Sequence, residues 1–437
     1  MTTQTPGGEG GAEVAPNGSL WRNRDFVNFW IAESISQAGA QVSLVALPLL
    51  AIYVLDAAPA QMGFLTAAGT APFLFIGLFV GVWVDRLRRR PLMIAADILR
   101  SLLMLVIPAA WLLDMLRIEL LYIVALLTGC LTVIFDIAWA AYVPTVVRRR
   151  NLVEANSKLQ VSASVAQVAG PGVGGALVGL IGAPLTILID AVSYFASGAF
   201  LLRIKAAESH AEASEDGKKI WSEIASGLRL TFHHDLLRGL VLSRIVVTYS
   251  AGIFFAVYVL FMAEDLGLGA TAVGLVFAVG GIGALLGAAI AGRMSRRFGE
   301  GRAVIGAQFA FGAFGITLPL AVFVPAIALP MVLLSEFAQW MAHVVSQVND
   351  HSIRQSSVED RYLGRVVSVF QFFGRGLTPL GAITGGLLGE LIGVPLTLVV
   401  ASAGFMVAFL FVLFSPLRQF RLGAGEELLA EPAPATP

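Results

Sequence analysis

The sequence predicts an all-α integral membrane protein in which twelve transmembrane helices form two pseudosymmetric six-helix bundles. Three observations carry that prediction. Hydrophobic residues fill 57% of the 437 positions and charged residues only 13%, with a mean hydropathy of +0.81. A water-facing surface of ordinary polarity cannot be built from that composition. The apolar residues fall in runs of roughly 20, the length that crosses a bilayer core. Finally, Leu180-Ile181-Gly182-Ala183-Pro184-Leu185-Thr186 recurs as Leu391-Ile392-Gly393-Val394-Pro395-Leu396-Thr397, an offset of 211 residues. The composition excludes a cytosolic enzyme and a disordered chain. With 29 Lys+Arg against 29 Asp+Glu, no net basic field points to nucleic acid. The single cysteine, Cys130, excludes a disulfide framework and a multi-cysteine metal site.

Taken in order, residues 1–20 are rich in Gly, Pro and Thr without apolar periodicity and read as a disordered tail. They lack the basic-then-apolar pattern of a cleaved signal peptide. Residues 21–203 form the expected N-terminal bundle, with apolar runs at roughly 26–54, 60–84, 92–112, 119–142, 157–180 and 184–203. Residues 204–238 are a hydrophilic linker. Within it, Ile220 to Arg229 carries apolar side chains three to four apart, an amphipathic helix that either joins the halves along the membrane surface or regulates them. Residues 239–416 form the C-terminal bundle, with runs at roughly 241–262, 271–292, 303–323, 326–349, 365–388 and 393–414. Residues 417–437 are a second tail.

Arginine placement orients the chain. Arg22, Arg24, Arg86, Arg88 to Arg90, Arg148 to Arg150 and the later clusters all fall on one side, leaving Arg117 alone on the other. The positive-inside rule then puts both termini and the linker in the cytoplasm. Scarce Lys against abundant Arg, with high Ala and Gly, points to a GC-rich bacterium and hence to its inner membrane.

The 211-residue offset also pairs Gly174-Gly175 with Gly385-Gly386, Gln160 with Gln371, Arg150 with Arg361 and Gly81 with Gly292. Duplicated halves of this kind place a substrate cavity between them near the midplane, and their rocking exposes it alternately to each side.

Gly81-Val82-Trp83-Val84-Asp85-Arg86-Leu87-Arg88-Arg89-Arg90 joins helices two and three. It resembles the loop signature of the major facilitator superfamily, Gly-x-x-x-Asp-Arg-x-Gly-Arg-Arg, with Arg88 standing where the signature has Gly. The resemblance implies a cytoplasmic latch. Gly81 allows close helix approach, Asp85 meets a helix N-terminus of the other half, and Arg86, Arg89 and Arg90 complete a basic cluster that pairs with acids nearby. A plain positive-inside anchor would explain the arginines but neither Asp85 nor Gly81. The second half repeats the motif weakly at Gly292 to Gly299, with Arg296 in the place of Asp85.

Gly170-Pro171-Gly172-Val173-Gly174-Gly175 lies inside helix five. It resembles the Gly-Pro-x-x-Gly-Gly signature of drug/proton antiporters, which implies efflux; tight packing alone would also select it. Asp97 to Arg100, Phe135-Asp136 through Pro144, and Asn151 to Ser157 narrow the resemblance to the branch of enterobactin exporters, macrolide efflux pumps and secretion-effector transporters, over roughly residues 22–420. That branch often carries an acid after the glycine of helix one. Here Gly39 is followed by Ala40 and Gln41, so coupling must use another residue. No Gly-rich segment carries the Gly-Lys-Ser/Thr of a nucleotide site.

Ionisable groups inside a membrane are functional candidates because charge there is costly. Asp97 and Arg100, one turn apart in helix three, read as an ion pair or latch partner. Asp136 in helix four lies within reach of Arg89, Arg90 or Arg100, and Asp190 reads as a dipole partner at the start of helix six. Glu33 and Glu336 are the deepest acids of helices one and ten, which border the cavity in the resembled fold. Either they carry the coupling proton or they are carboxylates satisfied by Ser and Gln neighbours. His343, two turns from Glu336, and Arg375 complete a relay or act as gate contacts.

The reading that results is a proton-coupled exporter of bulky amphipathic molecules such as drugs, secondary metabolites or siderophores. Its partners are the small-molecule substrate, the proton and the lipid bilayer; it is monomeric and needs no metal or cofactor. Its rivals are an importer of a small polar nutrient and a membrane sensor or scaffold that moves nothing.

Overall fold

The structure is a computed structural model that describes residues 20–76, 87–206, 208 and 217–421. Every regular element among them is helical. The first half comprises α1 (Arg24–Leu55), α2 (Pro59–Phe75), α3 (Arg89–Leu112), α4 (Ile118–Val146), α5 (Leu152–Ile181) and α6 (Ala183–Leu201). After α7 (Gly217–His233) the second half comprises α8 (Asp235–Leu260), α9 (Ala270–Phe298), α10 (Glu300–Leu320), α11 (Ala328–Ser357), α12 (Asp360–Gly376), α13 (Thr378–Ile392) and α14 (Val394–Leu413). Eleven described segments are long and apolar enough to cross a membrane, with α12 and α13 sharing one of them, Tyr362–Ile392. The twelfth expected span, 60–84, is represented by α2, and its remainder lies outside the described residues.

Local chemistry sets the ends. Asn23 caps α1 by accepting hydrogen bonds from the backbone of Asp25 and Phe26. Pro59 opens α2, where its missing N–H costs nothing. The duplicated loops fold alike. Gly182 and Gly393 take φ of 82° and 86°, a region that glycine enters without strain. In both cases a proline follows within the first turn, and Thr186 or Thr397 donates its hydroxyl to the glycine carbonyl at 2.9 Å.

The same correspondence governs the packing. In the first half α1 packs on α5 and α6, α3 on α4 and α6, and α2 on α4. In the second, α8 packs on α13 and α14, α10 on α11 and α14, and α9 on α11. The halves meet through α2 with α13 and α5 with α9. Both junctions are glycine contacts related by the 211-residue offset. A Cβ on Gly386 would lie 2.8 Å from Gly63 Cα, and one on Gly175 would lie 2.6 Å from Gly274 Cα. Because lipid offers no hydrophobic drive for helices to associate, such close backbone approach supplies the van der Waals contact instead.

These junctions lie at one end of the bundle, with the end of α1, where the Tyr53 hydroxyl donates to Leu268 O at 3.1 Å. We call this the far face. The start of α1 and the end of α4 meet at the opposite, terminal face, where Asn23 Nδ2 donates to Val146 O at 3.1 Å. The halves are thus sealed at the far face.

Candidate functional site

From the sealed far face toward the terminal face, space opens around the junctions of the halves. A cavity of ≈ 900 Å³ runs along the Val153–Ala169 stretch of α5 up to Leu285 of α9. Another of ≈ 590 Å³ is walled by α8, α11 and α12, with Arg244, Asp350, Arg354 and Arg375 on its surface.

Two carboxylates sit deep inside helices, one in each half. Glu33 lies about 14 Å into α1 at 1.5 Å per residue. Its Oε1 accepts from Gln37 Nε2 at 2.9 Å, whereas Oε2 is buried without a hydrogen-bond partner. Ser34 Oγ and the Trp139 Nε1 of α4 are likewise buried and unpartnered. Glu336, on α11, is 2% exposed. It accepts hydrogen bonds from the Tyr258 hydroxyl of α8 at 2.6 Å and from Trp340 Nε1 at 2.8 Å. Both oxygens are therefore engaged, by neighbours other than the Ser and Gln expected from sequence.

His343 follows two turns later. Its ring packs on Trp340 and Phe311, and its Nε2 lies 3.0 Å from Gln347 Nε2. Asp136 of α4 does not meet Arg89, Arg90 or Arg100. Among the described residues it pairs with Arg375 of α12, at 3.9 Å, so this pair bridges the two halves. Arg375 also lies 5.0 Å over the Phe73 ring of α2.

Other candidates have roles within their own half. Asp97 is fully buried, pairs with Arg100 and accepts from the Ser197 hydroxyl of α6 at 2.6 Å. The Arg100 guanidinium is held between the Phe135 and Tyr194 rings, at 4.3 and 4.4 Å. Arg89 donates to Ala141 O at 3.2 Å and Arg90 to the carbonyls of Leu201 and Leu202. The backbone N–H groups of both arginines donate to the Glu208 carboxylate, an anion at the N-terminus of α3. Gly81, Asp85 and Arg86 lie outside the described residues. Asp190, two turns into α6, accepts from Ser43 and Ser193 rather than serving the helix N-terminus.

In α5, Pro171 is buried without interrupting the helix. A Cβ on Gly170 would collide with Gln41 of α1, and one on Gly174 with Val42 O, 2.8 Å away, while Gly175 faces α9. The motif therefore seats α5 against its own half and the other half at once.

Two residues of the cavity wall escape the sequence reading. Arg244 reads there as one of the anchoring arginines, and Asp350 falls one residue past the expected end of helix ten. In the structure both lie inside helices and line the ≈ 590 Å³ cavity. The repeat holds the clue, for 211 residues separate Glu33 from Arg244, Asp136 from Gln347 and Trp139 from Asp350. Among the described residues no cluster of three His, Cys, Asp or Glu side chains could hold a metal ion.

The family model described as transmembrane secretion effector matches residues 16–433. The chain belongs to that family. It is a transporter of the major facilitator type and not an enzyme. The transporter is 26% identical over 405 residues to the multidrug efflux pump Tap of Mycolicibacterium fortuitum, covering 89% of this chain and 95% of that one. It is also 26% identical to the uncharacterized MFS-type transporter YfiS of Bacillus subtilis, over 87% and 91% of the two chains. Among solved structures it resembles a bacterial homologue of the iron transporter ferroportin in an inward-facing state, with a TM-score of 0.73, 16% identity and 91% and 99% coverage. It also resembles the nucleoside transporter NupG, with a TM-score of 0.73, 11% identity and 89% and 98% coverage. At those identities the two structures establish the fold.

Proposed function

We propose that this transporter exports bulky amphipathic organic molecules in exchange for protons, by alternating access, from a bacterial cytoplasm in which both termini and the linker lie. Residues 21–203 and 239–416 would be the two rocking units, with 204–238 joining them. Efflux-pump relatives and the helix-five motif favour export. The observation that carries the coupling is the pair of buried carboxylates on α1 and α11. Glu33 has an oxygen without a partner, where a proton can sit. Glu336 is gripped by a phenol and an indole that can support its charge when the proton leaves.

In this reading the far-face glycine contacts hold the state open toward the cytoplasm, where the substrate enters. Release of that contact and closure of the terminal face, aided by Asp85 in its loop, carry substrate outward. A proton then loads Glu33 or Glu336 and resets the cycle. Glu33 ranks ahead of Glu336 because Ser34, Ser36 and Gln37 surround it with groups able to solvate a charge.

Inverted membrane vesicles test the proposal. Wild-type protein should concentrate lipophilic dyes when an inward-acid gradient is imposed. Glu33→Gln or Glu336→Gln should lose that uphill uptake and keep downhill exchange. Gradient-driven uptake retained in both variants would remove them as carriers and leave Asp136 as the remaining candidate.

A further inference from the structure

We propose that the cavity walled by Arg244, Arg354 and Arg375 binds an oxyanion, the carboxylate or phosphate head of an amphipathic molecule. The inference rests on the export reading above and adds a chemical requirement to its substrate. Three guanidinium groups face this ≈ 590 Å³ space, a volume in the range of roughly 300–1,000 Å³ that holds a drug-sized ligand. Their partners differ. Arg354 is engaged by Asp350 at 3.0 Å and stacks on Phe370. Arg375 has Asp136 at 3.9 Å, too long for a hydrogen bond, and the Phe73 ring at 5.0 Å, and remains 60% exposed. Arg244 has neither a hydrogen bond nor an ion pair among the described residues, and its guanidinium rests against Gly374, where a Cβ would lie 3.1 Å from Nε. One lining acid, Asp350, against three arginines leaves the cavity net positive, even with Asp136 counted beside Arg375.

Arg100 shows what a structural arginine looks like in this fold. It is 3% exposed, paired with Asp97 and clamped between two aromatic rings. Arg244, about 14 Å into α8, shares the cavity wall with Asp350 but has neither a hydrogen bond nor an aromatic clamp among the described residues. A planar five-donor group in that setting is suited to bidentate binding of a carboxylate or phosphate. The repeat sharpens the point, because Arg244 occupies the position in the second half that Glu33 occupies in the first. The two halves thus carry opposite charge at equivalent positions, an acid in α1 and a base in α8. An arriving oxyanion would also replace the distant Asp136 at Arg375 and so loosen the bridge between the halves.

Binding to the purified full-length transporter in neutral detergent tests this without transport. The probes are 2-naphthoate and its uncharged isostere 2-naphthamide, followed by equilibrium dialysis. Wild type should prefer the anion by about tenfold or more, the scale of one charge-assisted contact. Arg244→Gln should abolish the preference, Arg244→Lys should keep part of it, and Arg117→Gln should not alter it. Added phosphatidylglycerol separates the sources. If it displaces naphthoate the site takes a lipid headgroup, and if it does not the site takes a free amphipath; either result upholds the oxyanion. Equal binding of the two probes to wild type, or a preference undiminished in folded Arg244→Gln, would overturn the site. Should Arg244→Gln not fold, Arg375→Gln decides by the same readout. Lost preference with intact dye export overturns the anion site alone, and preference without export overturns the export reading alone.

Discussion

The glycine contacts at the far face should control which side of the transporter is open. Alanine at Gly175 would place a Cβ 2.5 Å from Ala270 O and 2.6 Å from Gly274 Cα, and alanine at Gly386 would place one 2.8 Å from both Gly63 Cα and Pro59 O. All four are backbone atoms, so no rotamer change relieves the clash and the helices themselves must part. Overpacking of this kind costs about 1–3 kcal/mol. Imposed on the sealed state alone, that biases the conformational equilibrium roughly 5- to 150-fold toward far-face opening. One rigid-body separation relieves both junctions, so the double variant should exceed either single one by less than their sum. Nitroxides at Leu180 and Leu391, with Cys130 replaced by Ser, report the far-face span by electron–electron double resonance. Gly175→Ala and Gly386→Ala should each add a longer-distance population, and Gly306→Ala should not, because nothing lies within 4 Å of a Cβ there. An unchanged distance distribution in the double variant would refute the claim that these contacts hold the seal.

Arg100→Gln strands the buried Asp97 without its cation and should cost about 3–5 kcal/mol, read as a lowered melting temperature in detergent, with Asp97→Asn/Arg100→Gln recovering part of it. A single variant as stable as wild type would show the pair to be dispensable. Cysteine at Ala58 should react with an impermeant thiol reagent on intact cells and cysteine at Arg148 only after permeabilisation; the reverse pattern would invert the proposed orientation. On the proposed latch, Asp85→Asn should insert normally yet stop transport, since a charge–dipole contact made in one conformer only would be worth about 1–2 kcal/mol; wild-type efflux would dismiss the latch.

The fold was legible because lipid imposes one rule, a run of about 20 apolar residues per crossing, and the chain obeys it. The edges were less so. Hydropathy marks where side chains leave the hydrocarbon, whereas α8 begins at Asp235 and α11 runs on to Ser357, with charged residues inside them. Arg244 and Asp350 are misplaced by hydropathy for that reason. The interruption of the eleventh span at Leu377 had a visible cause in Pro379, which lacks the N–H to continue the ladder. Within the site, the sequence identified the buried acids and the Gln37 partner of Glu33, but not the Tyr258 and Trp340 that hold Glu336. The Asp97–Arg100 pair was readable because it is local, one helical turn apart. Asp136 was expected near arginines of its own half and stands instead near Arg375, since pairing across halves depends on how the bundles dock.

The helix-five motif offered two explanations, antiporter chemistry or packing, and the geometry removes the opposition between them. Gly174 faces α1 in its own half while the adjacent Gly175 faces α9 in the other, and the duplicate pair repeats the division, Gly385 against Ile253 and Gly386 against Gly63. Consecutive residues on a helix point about 100° apart, so one glycine pair can serve two interfaces only if both approach that closely. Each half is thereby packed tightly against the junction between them. What the duplication retains is this frame of backbone contacts; what it has let diverge is the charge at equivalent positions, with Glu33 answered by Arg244 and Trp139 by Asp350. Under the proposed exchange, a symmetric hinge with asymmetric charge would let one motion act on two different ligands, which is what exchange physically requires.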